Sequence, residues 1–252
     1  MAKYLTEFNT YAEYQAASLN LPNVSLIKST GKVYYKNVFA GASLGDILMW
    51  DNVNNKLVTT IGGNWSTESF PIAQYEPIAI NIYPSDQASD GKSRYMALRW
   101  VSREYDTGST SSVSVVWGNN GNNITSKDQT ALNGRENTDK ALELADGTTA
   151  NTQAAFAAFA AVNRFRTNGT KQGDWYLPSK GELSLYQSNY ADINTKIQAI
   201  KNASSSIVNE VSGQQLSSTE ERENYDWLLG SNGDWYSDSR NITRGARGMI
   251  AL

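Results

Sequence analysis

Hydrophobic positions fall into short alternating runs over much of the chain and into steps of three and four residues over its central part. These are the periods of strands and helices respectively. Near the start, Thr10 to Ser18 predicts a helix, with Thr10 as cap and Glu13 three residues later completing a capping box. Pro22 and Asn23 break that pattern. Val24 and Leu26, then Val33 and Tyr35, alternate on either side of Ser29-Thr30-Gly31, which predicts a hairpin. One short helix and a two-stranded hairpin bury too little surface to stand alone. Residues 1–40 are therefore expected to pack on the main domain or on other subunits.

Residues 41–252 read as the main domain. Ile47, Leu48, Met49 and Trp50 predict a core strand, Asp51 to Lys56 a turn, and Leu57 to Ile61 its returning partner. Pro77 to Tyr83 and Tyr95 to Ser102 are rich in Ile, Tyr and Val and predict further strands, with a polar loop from Pro84 to Lys92 between them. Within Asp106 to Ser126, the run VSVVWG predicts a strand between two loops. Three helices are expected. The first spans Asn137 to Leu144, with Asn137 or Thr138 as cap. The second spans Asn151 to Phe165, where Phe156, Phe159 and Val162 share a face and Gly169 stops the run. The third spans Ser179 to Ile200, with Ser179 and Glu182 as a capping box and Leu183, Tyr186, Tyr190, Ile193, Ile197 and Ile200 on its buried side. Beyond Asn209 the pattern returns to β: Trp227 to Leu229, then Trp235 and Tyr236 after the turn Ser231-Asn232-Gly233, and finally Gly248 to Leu252.

Composition narrows the function. A content of 40% hydrophobic and 19% charged residues belongs to a folded globular chain. The net charge of -3, without a Lys/Arg cluster, argues against nucleic acid as a partner. No apolar run approaches the roughly 20 residues that cross a bilayer, so no membrane insertion is expected. The chain has no cysteine and no histidine. Disulfides, thiolate chemistry, Ser-His-Asp triads and Cys/His zinc sites are all excluded. No spacing singles out a catalytic pair among the 25 Asp and Glu residues. A non-enzymatic protein without a cofactor is expected. The opening MAKYLTEFNT lacks the apolar core of a signal peptide, so synthesis in a cytosol without general export is expected.

Several motifs occur in a fixed order: GDILMWDN at residues 45–52, GDWYLPSKGEL at 173–183, Ser217-Ser218-Thr219-Glu220, and the ending Arg247-Gly248-Met249-Ile250-Ala251. In this order they resemble a phage and bacterial family of C-type-lectin-like domains, with Gly248 where that family commonly has Pro. The resemblance covers roughly residues 41–252. It implies an α+β fold, with two helices packed on mixed, mainly antiparallel sheets and a small N-terminal helix-hairpin segment added. The first 37 residues, with YLTEFNT and LPNVSLIKSTGKVYY, resemble N-terminal segments of structural proteins from phages of gut Bacteroidales, crAss-like phages among them. Together the resemblances imply a virion protein of head-fibre, tail-fibre or decoration type, assembled in the host cytoplasm. Residues 1–40 would attach to other virion proteins or drive homo-oligomerisation as a trimer or dimer. Residues 41–252 would contact a host-surface glycan or protein. A decoration protein without a receptor, and a bacterial or prophage binding protein, remain as alternatives.

The motif residues have a physical reading of their own. Trp175, Tyr176 and Leu177 end a buried strand, and Pro178 biases the residue before it to extended geometry. Ser179 and Glu182 satisfy free helix N–H groups. Trp175, Leu177, Pro178, Ser179 and Glu182 are therefore expected to build the fold. Calcium-dependent lectins of this fold carry EPN or QPD followed by WND, and none of these occurs here. Asp234 and Asp238 are too few for the six to eight oxygens calcium takes, so no metal is expected. Glu223 to Arg247 mixes Tyr, Trp, Ser, Asn, Asp, Gly and Arg, much of the set that paratopes use. Some relatives of the fold diversify this region by retroelements. The expected ligand contacts are Tyr225, Asp234, Tyr236, Asp238, Arg240 and Asn241, with Trp227 and Trp235 buried beneath. The NNGNN run at residues 119–123 is expected to be a turn.

Overall fold

The structure, a computed structural model, describes residues 5–8, 13, 24–27, 32–35, 38–40, 43–60, 62–85, 87–101, 114–118, 125–144, 156–204 and 214–252. Apart from Glu13, the helix expected over residues 10–18 lies outside them, as do the 119–123 turn and residues 151–155 of the second expected helix. No helix among the described residues is long and apolar enough to cross a membrane.

The N-terminal segment forms a four-stranded sheet, β1 (Leu5–Phe8), β2 (Val24–Ile27), β3 (Lys32–Tyr35) and β4 (Val38–Ala40), in that order. The expected hairpin is present, with Val24 opposite Tyr35 and Leu26 opposite Val33. Strand β1 adds parallel to β2, and β4 adds antiparallel to β3.

The rest of the chain is mixed α+β, with four helices among the described residues and two five-stranded sheets. The first sheet is antiparallel throughout, in the order β14-β8-β7-β5-β6: Met249–Ala251, Arg94–Ala97, Tyr75–Tyr83, Ile47–Asp51 and Lys56–Thr59. Its inner strands are buried on both faces and so read as continuous apolar runs rather than alternating ones. Met96 and Leu98 join one core with Ile193, Ile197 and Ile200. Tyr95 and Ala97 join the other with Trp117, Phe159 and Trp175. The expected strand from Tyr95 to Ser102 is shorter: β8 ends at Ala97, followed by one more bond from the Leu98 N–H to the Ile78 carbonyl. Beyond it the Val101 N–H turns to the Ala246 carbonyl.

The second sheet has the order β12-β11-β10-β13-β9: Trp235–Ser239, Tyr225–Leu229, Gln215–Arg222, Thr243–Gly245 and Ser114–Val116. Only β10 and β13 run parallel. Strand β12 is an edge.

The helices differ from expectation in two places. Helix α1 spans Gly134–Glu143 and begins before Asn137, so Asn137 and Thr138 lie inside it and do not cap it. Both are fully buried and carry tertiary bonds. The Asn137 amide donates to Ser218 Oγ at 3.1 Å and its Oδ1 accepts from the Ser126 N–H. The Thr138 hydroxyl donates to the Gly134 carbonyl and accepts from the Leu177 N–H at 3.0 Å. Helix α2 spans Ala157–Arg164. The long third helix is divided at Asn189 (φ -117, ψ 18) into α3 (Lys180–Ser188) and α4 (Tyr190–Ala203). Leu183, Tyr186, Ile193, Ile197 and Ile200 are fully buried, whereas Tyr190 is partly exposed.

The motifs that are distant in sequence meet in space. The Pro178 carbonyl accepts from the Ser218 N–H at 2.7 Å, and the Lys180 N–H donates to Thr219 Oγ1 at 2.9 Å. Residues 217–220 therefore dock against the start of α3. Gly181 is required by close approach: a Cβ there would lie 2.5 and 2.6 Å from the Thr130 and Ala131 carbonyl oxygens.

Candidate binding site

Two surfaces carry recognisable chemistry, and both are built on the frame of these motifs. The first is a polar cavity of about 550 Å³ over Tyr176 and Glu182. Ser179 and Glu182 form a reciprocal capping box, so Glu182 faces back from the first turn of α3. Its Oε2 accepts from the Ser179 N–H at 2.9 Å and from the Ser179 hydroxyl. Its Oε1 accepts from the Tyr176 hydroxyl at 2.8 Å and from Arg94 Nε at 3.2 Å. Arg94 also holds Asp90 through both terminal nitrogens. Burial works against the Arg94 cation, but the Asp90 hydrogen bond and the neighbouring acidic groups outweigh it and raise its pKa. The Arg94 hydrogen bond holds the Asp90 carboxyl below its ordinary value. Burial, then Glu182, pushes the Tyr176 phenol well above its ordinary range, so it remains a donor. Arg135, from the first turn of α1, stacks 4.8 Å over the Tyr176 ring and donates to the Gly173 and Asp174 carbonyls.

The second surface is the hairpin of β11 and β12. Its register pairs Tyr225 with Ser239, Trp227 with Ser237 and Leu229 with Trp235. Alternation therefore places Tyr225, Trp227 and Trp235 on one face. The two tryptophans meet edge to face, with centroids 6.4 Å apart. Lys180 from α3 extends over them, its Nζ 3.2 Å from the Trp227 centroid and 5.0 Å from that of Trp235. Burial lowers the Lys180 pKa, and Glu221 partly opposes this. Gln187 accepts from Trp235 Nε1 at 2.8 Å and donates to the Gly233 carbonyl, fixing the hairpin to α3. At the open end Arg222 stacks 4.1 Å over the Tyr225 ring. At the tip the Asn232 amide donates to Asp234 Oδ2 at 2.6 Å and to the Tyr236 hydroxyl at 2.9 Å.

The other face of the hairpin is a row of charge. Glu220, Asp226 and Asp238 are opposite one another across β10, β11 and β12. Glu220 is paired with Arg240 at 3.1 Å with both side chains fully buried, and Asp238 is paired with Arg244. Arg240 lies 4.4 Å over the Trp117 ring. Asp226 is 1% exposed, and burial pushes its carboxyl up to about 8 against the opposing pull of Arg240.

The expected contact residues do not form one patch. Asp234 and Tyr236 stand at the exposed tip, with Tyr236 41% exposed. Tyr225, Asp238 and Asn241 lie at the other end of the hairpin, and Tyr225 faces opposite to Tyr236 and Asp238. Asn241 is exposed beside the Ser239 hydroxyl. Arg240 must be corrected: it is 0% exposed and pairs with buried Glu220, so it supports the sheet from within and does not reach a ligand. Trp227 and Trp235 are also corrected, since both are half-buried and form part of the surface. Trp175, Leu177, Pro178, Ser179 and Glu182 are all buried in the frame. The sequence reading missed Lys180, Gln187 and Arg222 as neighbours of the aromatic face. Lys180 stands inside the GDWYLPSKGEL motif, but nothing local signals that it reaches Trp227.

The chain matches no protein-family model and no curated protein. Its fold is similar to that of a fimbrial protein from Bacteroides ovatus ATCC 8483, solved by crystallography at 1.85 Å, with a TM-score of 0.50 and 16% identity. The similarity covers 83% of this chain and 49% of the fimbrial one, so this chain spans about half the length of that structure. Among the described residues, no group of three His, Cys, Asp or Glu side chains is arranged to hold a metal ion.

Proposed function

We propose that this chain is a non-enzymatic surface protein of a bacteriophage particle, a head- or tail-fibre or decoration component. Residues 41–252 form a C-type-lectin-like domain that presents the β11–β12 hairpin to a host-surface glycan or protein. The carrying observation is the hairpin itself. One face of the β11–β12 hairpin, whose β12 is an edge strand, displays two half-exposed tryptophans and a tyrosine, with a hydrogen-bonded Asn232-Asp234-Tyr236 tip beside them. Tyr and Trp supply rigid contact area at little entropic cost, and Asn, Ser and Asp supply adaptable hydrogen bonds. Residues 1–40 form the attachment segment, which docks on other virion proteins or on further copies of this chain as a trimer or dimer. The resemblance of those residues to phage segments, and the order of the four motifs, support the virion location.

A second reading, a component of a bacterial surface fibre, is favoured by the fold shared with the fimbrial protein. Mass spectrometry of purified particles and of a sheared cell-surface fraction separates the two. The chain is expected in the particles, and deletion of residues 1–40 is expected to remove it from them. Recovery only in the cell-surface fraction supports the fimbrial reading. Particle incorporation that survives the deletion refutes the attachment role.

A further inference from the structure

We propose that Asp226 is a pH-sensitive latch at the edge of the second sheet: its protonated carboxyl keeps strand β12 docked on β11, and its ionisation releases β12. The geometry is a row of three carboxyls served by two guanidinium groups. Asp226 stands on the middle strand, directly opposite Glu220 of β10 on one side and Asp238 of β12 on the other. Glu220 is paired with Arg240, just beyond β12, at 3.1 Å, and Asp238 is paired with Arg244 of β13. Both guanidinium groups are thus matched by the outer carboxylates. Asp226 is 1% exposed, and its Oδ2 has no hydrogen-bond partner among the described residues. An ionised Asp226 would complete a line of three negative charges across three strands, with like charges in directly opposed pairs. A proton on the middle carboxyl removes both repulsions and lets the row close. Burial, the largest influence, holds that proton up to about pH 8.

Strand β12 is the element that gives way. β10 lies inside the sheet between β11 and β13, whereas β12 pairs with β11 alone among the described strands. The Glu220–Arg240 pair is fully buried, and the Thr125 N–H also donates to Glu220 at 2.8 Å. The Asp238–Arg244 pair is partly open to water, which weakens it. Once β12 is released, Asp226 meets water and titrates as an ordinary aspartate, near about 3.9. Docking is therefore fully supported below that value. It weakens by about tenfold per pH unit up to about 8, and levels off above it. β12 carries Trp235 and Tyr236, so its release takes apart the aromatic face and the tip network. The latch is a property of the strand and stands whatever the hairpin binds.

Amide hydrogen exchange of the full-length chain tests the latch at pH 5, 6 and 7, with each rate divided by the intrinsic rate at that pH. Peptides over residues 235–240 report β12, and peptides over β7 report the interior of the first sheet. In the parent chain, protection over residues 235–240 is expected to fall by about tenfold per pH unit, about a hundredfold between pH 5 and pH 7. It is expected to stay below the protection of β7 throughout, as a local opening requires. In Asp226→Asn the protection of β12 is expected to stay constant over the same range. The comparison of the two strands within the parent chain needs no variant. The proposal is overturned if protection over residues 235–240 does not change with pH in the parent, or if it changes equally in Asp226→Asn. It is also overturned if both strands exchange with the same protection, because the opening is then global.

Discussion

Replacing Glu182 by alanine is expected to destabilise the fold by about 3–5 kcal/mol, the cost of removing one partner from a buried charged network. Glu182 is 1% exposed and accepts from the Ser179 N–H and hydroxyl, the Tyr176 hydroxyl and Arg94 Nε. Alanine leaves these donors without their acceptor. It also removes half of the capping box of α3. The effect reaches α1 as well, because the Glu182 carboxylate packs directly against Gly134 at the start of that helix. Glu182→Gln retains the shape and one acceptor oxygen, but it turns an NH2 toward the donors of the other and loses the charge opposite Arg94, so an intermediate loss is expected. Urea denaturation at unchanged m value measures both. A loss near 1 kcal/mol for the alanine variant would equal the cap alone and would contradict the account of a buried charged network.

Asp226→Asn is expected to make the protein progressively more stable than its parent as pH rises from about 4 to about 8. An unfolded aspartate titrates near 3.9, whereas buried Asp226 titrates at about 8. Between these values the unfolded chain has lost the proton and the folded chain keeps it. Folding is therefore favoured below the lower value and loses stability as pH climbs to the upper one, by up to about 1.4 kcal/mol per pH unit from this group. The charged groups that face it are Glu220 on β10, Asp238 on β12, and the guanidinium groups of Arg240 and Arg244. Asparagine carries no proton to lose, so the slope disappears. Denaturation of both proteins at pH 4, 6 and 8 should show a gap that is small at pH 4 and several kcal/mol at pH 8. A gap constant with pH would mean that Asp226 is ionised in the folded state.

The parts of the fold legible in the sequence are those specified by local chemistry. The hairpin of residues 24–35, the Ile47–Asp51 strand with its returning partner, and the Ser179–Glu182 cap depend on nearby residues and were readable from period and turn signals. The start of α1 was misplaced because Asn137 and Thr138 are good caps in isolation. Here they are held inside the helix by Ser218 and Leu177, contacts that no local pattern announces. The break at Asn189 was hidden because the apolar face continues on both sides of it. Arg240 read as a surface contact because its sequence neighbours are polar. Its partners, Glu220 on β10 and the Trp117 ring just after β9, are distant in sequence and carry it into the interior. For the same reason the aromatic face could be located but not its composition: Lys180 and Gln187 arrive from α3, and strand alternation sends Tyr225 and Tyr236 to opposite sides.

The hairpin is the central functional claim, and adsorption of the purified chain to host cells tests it most directly. Two variants separate its two ends: Asn232→Ala, Asp234→Ala and Tyr236→Ala combined at the tip, and Tyr225→Ala with Arg222→Ala at the open end. These positions are exposed or half-exposed, so each variant should unfold near the parent temperature. Loss of adsorption by about tenfold or more in at least one variant, with folding intact, is the predicted result. Adsorption equal to the parent in both variants would contradict it and place recognition elsewhere on the molecule.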